Sequence, residues 1–151
     1  MEGNSMWRRE LLASLEFDTV LNFADAVMYG LDLCLQAKKR GAKIVFEPRA
    51  LVYHHVAPRP AGSDRRDTGD RLFGYCRNYT YVLLKELPAW RRPIFLAWWF
   101  LIGERGAWGA AALAYDTVTR GFGKERNIAQ GWRGKIEGIR QWRARRGMSL
   151  I

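Results

Sequence analysis

The chain has 151 residues, 48% of them hydrophobic, which is long enough for one domain with a real core and too apolar for a disordered polypeptide. Lysine and arginine number 25 against 15 aspartate and glutamate, a net charge of +10. That excess points to an anionic partner without choosing among nucleic acid, a phosphorylated ligand and an anionic membrane surface. Two cysteines, Cys34 and Cys76, exclude a disulfide framework and lack zinc-site spacing. Met1-Glu2-Gly3-Asn4 lacks the basic start and apolar core of a signal peptide, so the expected location is the cytosol or the inner face of the cell membrane.

In chain order, Ser5 to Leu15 predicts a short helix with Met6, Leu11, Leu12 and Leu15 apolar, ended at Phe17-Asp18. A second helix is predicted over Met28 to Arg40. Val27, Leu31, Cys34 and Leu35 recur at helical spacing, Lys38, Lys39 and Arg40 suit the negative end of the dipole, and Gly41 suits the residue past the cap. Lys43 to Phe46 and Ala50 to His54 read as strands around the turn Glu47-Pro48-Arg49. Ala57 to Asp70 reads as a loop, and Leu72 to Leu87 as a helix stopped by Pro88.

The apolar run Pro93 to Ile102 is shorter than the ~20 residues that cross a bilayer. Its continuation through Ala107 to Val118 would put Glu104 and Arg105 at mid-membrane, a costly position. Two shorter helices are expected, packed on the domain as a hairpin or lying in the membrane interface over 93–118. Arg91-Arg92 before the run and Arg120 and Lys124 after it suit anionic lipid. Gly134 to Arg146 predicts a basic C-terminal helix carrying Ile136, Ile139 and Trp142.

Several residues recur in a familiar order: Phe17-Asp18, Asp32-Leu33-Cys34, Gly41, Pro48-Arg49-Ala50-Leu51-Val52-Tyr53-His54, and Arg77-Asn78. With the opening Gly3 to Leu12 they resemble the C-terminal, acceptor-side half of family 2 glycosyltransferases, over about Gly3 to Leu87. The resemblance implies an α+β chain: a partial GT-A-like α/β fold of short strands and helices, with a helical C-terminal tail. It divides the chain into residues 1–90, the acceptor-side part of a glycosyltransferase-like domain, and 91–151, a helical hairpin and basic C-terminal helix.

The resemblance also implies the chemistry. Transfer from a nucleotide-sugar to a glycan or lipid acceptor needs a carboxylate that takes the acceptor hydroxyl proton, and a helix N-terminus keeps it ionised. Asp32 is the nearest candidate, although the family's acidic pair falls on Tyr29 and Gly30. The competing reading places Asp32 on a solvated helix face with Gln36 and Lys39. Asp25 is a remoter candidate.

The diphosphate leaving group calls for a divalent metal, Mg2+ or Mn2+ in the family's complete site, or for basic groups. His54 is the candidate metal or phosphate contact, and Arg65, Arg66, Arg77 and Asn78 are candidates for substrate binding. An Asp-x-Asp motif and a glycine-rich phosphate loop are missing, and the matching nucleotide-binding half would precede Met1. The expectation is therefore a truncated chain inactive by itself, with no metal of its own required. The alternative is a basic non-enzymatic module on an anionic membrane surface or nucleic acid. The charge and the basic helix with Trp132 and Trp142 speak for it, but no nucleic-acid motif is recognisable.

Overall fold

In the computed structural model the described residues are 5–22, 28–53, 68–104, 106–120 and 128–148. They are mostly helical: α1 (Arg9–Ala13), a 3-10 turn (Thr19–Leu21), α2 (Tyr29–Lys39), α3 (Thr68–Glu86), α4 (Arg91–Leu101), α5 (Ala110–Arg120) and α6 (Ile128–Met148). Two-residue strands β1 (Gly103–Glu104) and β2 (Ala107–Trp108) pair antiparallel, Gly103 opposite Trp108, and form the one sheet among the described residues. The arrangement is thus mixed α+β with helices dominating.

The long helices form at the segments periodicity marks, but α3 begins at Thr68, inside the expected loop, and α6 at Ile128, ahead of the expected Gly134; α3 stops just before Pro88, whose ring cannot continue a helix. The strands expected over Lys43 to Phe46 and Ala50 to His54 are not formed among the described residues. Residues 42–53 run as irregular chain through a turn at Pro48-Arg49, in which the Ala50 N–H donates to the Glu47 carbonyl at 3.1 Å. A strand exists only when another strand takes its backbone groups, and among the described residues the one strand pair is β1 with β2. The β-branched and aromatic side chains that suggested strands therefore point to solvent, Phe46 at 87% exposure, with Val45, Leu51 and Tyr53 also exposed.

α3 is the central element, and α6 packs along it, across the boundary drawn at residue 90. Glycines make the approach close. A Cβ on Gly134 would lie 2.4 Å from the Phe73 carbonyl oxygen, and one on Gly138 would lie 2.5 Å from that of Arg77. Phe95 and Trp99 of α4 join Cys76 and Leu84 of α3 in one apolar cluster, with Tyr79 of α3 and Trp142 of α6 packed against it. The Trp99 indole N–H donates to Thr80 Oγ1 at 2.8 Å, which locks α4 to α3.

Lys135 is fully buried at the far end of α4. Its ammonium donates to the carbonyls of Trp99, Ala107 and Trp108 at 2.7, 3.0 and 3.1 Å and sits 4.2 Å from the centre of the Trp99 ring. It satisfies carbonyls that the end of α4 and strand β2 would otherwise leave bare. Both cysteines are free, Cys76 in the core and Cys34 half-buried.

Candidate functional site

The 3-10 turn is capped by Asp18, whose Oδ1 accepts from the Val20 N–H at 3.1 Å. That leaves Oδ2 facing α3. There it accepts from the Tyr81 hydroxyl at 2.7 Å and the Lys85 ammonium at 2.9 Å, and from the Arg145 guanidinium of α6. Arg77, Tyr81 and Lys85 stand at four-residue spacing and so share one face of α3. That face is aimed at the junction between the 3-10 turn and α2.

Asp32, in the first turn of α2, completes the junction. Lys85 donates to its two oxygens at 2.9 and 3.0 Å, and Gln36, one turn along, donates to Oδ2 at 2.8 Å. Gln36 also clasps the backbone of Glu16: its Nε2 donates to the Glu16 carbonyl at 2.9 Å, and its Oε1 accepts from the Glu16 N–H at 3.1 Å. Asp32 is 0% exposed and Asp18 2%. The solvated face expected for Asp32 and Gln36 is thus replaced by a buried one, because α3 covers them. Only Lys39 stays at the surface, and it pairs with Glu86 at 2.7 Å.

Lys85 is the pivot of the cluster. Four carboxylates, Glu16, Asp18, Asp32 and Glu86, meet three cations, Lys39, Lys85 and Arg145. Burial pushes the Asp18 carboxyl up, but the Lys85 and Tyr81 hydrogen bonds and the Lys85 charge outweigh it and hold the group below the usual aspartate range. Asp32 comes out the other way: its burial outweighs Lys85 and Gln36 and leaves its carboxyl raised. Burial alone would lower Lys85, and the two aspartates more than reverse that.

Arg77 and Asn78 sit beside this cluster on α3. Arg77 Nη1 donates to the Val20 carbonyl at 3.0 Å and to Asn78 Oδ1 at 2.7 Å, and Asn78 Nδ2 donates to the Leu21 carbonyl at 3.4 Å. Both side chains are buried and tie the 3-10 turn to α3. Of the candidate residues, then, Asp32 shares Lys85 with Asp18 of the Phe17-Asp18 pair, and Arg77 and Asn78 hold the 3-10 turn that Asp18 caps. His54, Arg65, Arg66 and Asp25 lie outside the described residues.

Asp18 and Asp32 do not fit a divalent metal in this arrangement. The position between their carboxylates where a cation would bridge them is taken by the Lys85 ammonium, 2.9 Å from each. Among the described residues, no three histidine, cysteine, aspartate or glutamate side chains converge as a metal site.

The residues missed from the sequence are Tyr81, Lys85 and Arg145. The four-residue spacing of Arg77, Tyr81 and Lys85 along α3 was the available signal for two of them. Arg145, more than a hundred residues from Asp18, had none. Comparison with protein-family models, with curated proteins and with solved structures returned no match.

Proposed function

We propose that the chain is the acceptor-side part of a family 2-like glycosyltransferase, handling a glycan or lipid acceptor and a nucleotide-sugar donor, and that it does not transfer sugar by itself. The observation that carries this reading is a convergence. Phe17-Asp18, Asp32 and Arg77-Asn78, separated by up to sixty residues, supply the Asp18, Asp32, Arg77 and Asn78 side chains to one junction. Gly41 and Pro48 to Tyr53, also members of the pattern, stay exposed and outside this junction.

In this reading Asp32 is the carboxylate for the acceptor hydroxyl. It takes a proton only when Lys85 releases it, since both of its oxygens are engaged in the closed arrangement. Lys85 is then a positioning residue that keeps Asp32 and Asp18 in register. Residues 43–53 support a requirement for a second sheet-bearing polypeptide: Ile44, Val45, Phe46, Leu51, Val52 and Tyr53 are exposed, and among the described residues the one strand pair is β1 with β2. In a partial GT-A-like fold these residues are the strands awaiting that sheet.

The test is incubation of the purified chain with UDP-, GDP- and dTDP-sugars, Mg2+ or Mn2+, and glycan and lipid-linked acceptors. Saturation-transfer NMR would follow binding, and released nucleotide would follow turnover. Saturable acceptor binding without turnover is expected. Turnover by the chain alone removes the requirement for a second polypeptide. Failure to bind any acceptor or donor removes the transferase reading.

A further inference from the structure

α4 is apolar on both sides. Its inner side carries the buried Phe95 and Trp99. Its outer side carries Trp90, Ile94, Trp98, Leu101 and Ile102, spaced by three or four residues and all exposed, Trp90 at 63% and Ile94 at 61%. Pro93 and Ala97, also exposed, fill the positions between them. The outer strip therefore holds no polar side chain from Trp90 to Ile102. A helix that is apolar on two sides beyond its opening arginines belongs where both sides are covered, and among the described residues the Trp90–Ile102 side stays exposed.

The charge at the head of α4 indicates what covers the other side. The helix opens on Arg91 and Arg92 with no acidic residue in its first turn. Cations there oppose the helix dipole, which favours carboxylates at that end. Among the described residues neither guanidinium has a carboxylate partner. Arg91 lies over the Trp90 ring at 4.6 Å, and Arg92 lies over Trp142 at 5.3 Å with its Nε buried and unbonded. Arg91, exposed beside Trp90 at the end of the apolar strip, matches a surface that is anionic outside and apolar just beneath.

We propose that the outer face of α4 lies in the interface of an anionic lipid bilayer, with Trp90 and Arg91 at headgroup level and Ile94, Trp98 and Leu101 below them. The helix lies along the surface and does not cross it. None of the described helices is long and apolar enough to span, and eleven residues make a rod only ~16 Å long. A strip ~16 Å by ~10 Å also falls far short of the ~800 Å2 per partner that a stable protein interface buries, so a second copy of the chain is the poorer occupant. This inference holds whether or not the chain takes part in sugar transfer.

The test is flotation of the full chain with vesicles of phosphatidylcholine alone and of phosphatidylcholine mixed with phosphatidylglycerol. Binding to the mixed vesicles, weaker on phosphatidylcholine and weakened by salt, is expected. Ile94→Glu and, independently, Leu101→Glu should each cut binding by about tenfold or more. Both side chains are exposed, so the melting temperature serves as the folding control. Arg91→Gln should cost about fivefold on mixed vesicles and little on phosphatidylcholine. No flotation of the folded wild-type chain with mixed vesicles overturns the proposal, as does flotation unchanged in both glutamate variants. A dimer in sedimentation velocity that Ile94→Glu dissolves, with no vesicle binding, would assign the strip to a second copy. Salt-sensitive binding to mixed-sequence DNA in place of vesicles would assign the cations to nucleic acid.

Discussion

Lys85 holds two buried carboxylates, so its replacement by methionine is the sharpest probe of the site. Methionine keeps an unbranched stem of similar length and deletes the bonds to Asp18 at 2.9 Å and to Asp32 at 2.9 and 3.0 Å. Asp18 retains Tyr81, the Val20 N–H and Arg145. Asp32 retains only Gln36 and is wholly buried, so most of the loss falls there. Removing one partner of a buried pair costs ~3–5 kcal/mol. In a chain of this size that lowers the melting temperature by roughly 6–20 °C.

Protonating Asp32 relieves the cost by about 1.4 kcal/mol for each pH unit below its raised pKa. The loss in Lys85→Met should therefore be largest near neutral pH and shrink as the solution is acidified toward the ordinary carboxyl value of about pH 4. Urea unfolding followed by far-ultraviolet circular dichroism at both pH values reads this directly. Adding Asp32→Asn to Lys85→Met should return ~1–3 kcal/mol, because a neutral amide tolerates the burial that the unpaired carboxylate does not. A loss below ~1 kcal/mol at neutral pH, or an equal loss at both pH values, would refute the pivotal role given to Lys85.

Three further outcomes follow from the same structure. Gly134→Ala and Gly138→Ala should each destabilise by ~1–3 kcal/mol, since the new Cβ meets backbone carbonyl oxygens on α3 at 2.4 and 2.5 Å. Gly131→Ala, whose Cβ meets the Leu72 side chain at 3.5 Å, should be neutral or stabilising by up to ~1 kcal/mol; equal thermal shifts for all three would deny the close approach of α6. Asp18 is lowered in the fold, so its contribution to stability is present above about pH 4 and disappears as pH falls through its depressed pKa. Asp32 is raised, so its contribution declines as pH climbs from about pH 4 through its elevated pKa. Asp18→Asn should accordingly flatten the acid side of a stability–pH profile and Asp32→Asn the segment just above it, and the reverse assignment would contradict the burial order. Phe46→Ser, at an 87% exposed position, should change unfolding free energy by less than ~0.5 kcal/mol and raise solubility, and a larger loss would mean that residues 42–53 are packed in solution.

How much was legible in the sequence varies with the reach of each interaction. The long helices were visible because their signals lie within a few residues: the apolar spacing over Leu31, Cys34 and Leu35, the cations closing α2, the proline after α3. The docking of the Asp18-capped turn onto Arg77 and Asn78 was visible only as an order of motifs, never as a contact. Lys43 to Phe46 and Ala50 to Tyr53 have strand-forming side chains, yet strand formation depends on a neighbour that local composition does not supply.

The sequence by itself determined the helical content, the basic charge and the short reach of the Pro93 to Ile102 run, since each follows from local spacing or from counting. Only the tertiary structure decided that Asp32 is enclosed, that Lys85 and Arg145 converge on Asp18, and that the Trp90–Ile102 side of α4 is left bare. The physical reason is that a charge changes its chemistry with its surroundings. Asp32 and Gln36 have the spacing of a wet helix face, and it is α3, more than thirty residues further along the chain, that takes the water away.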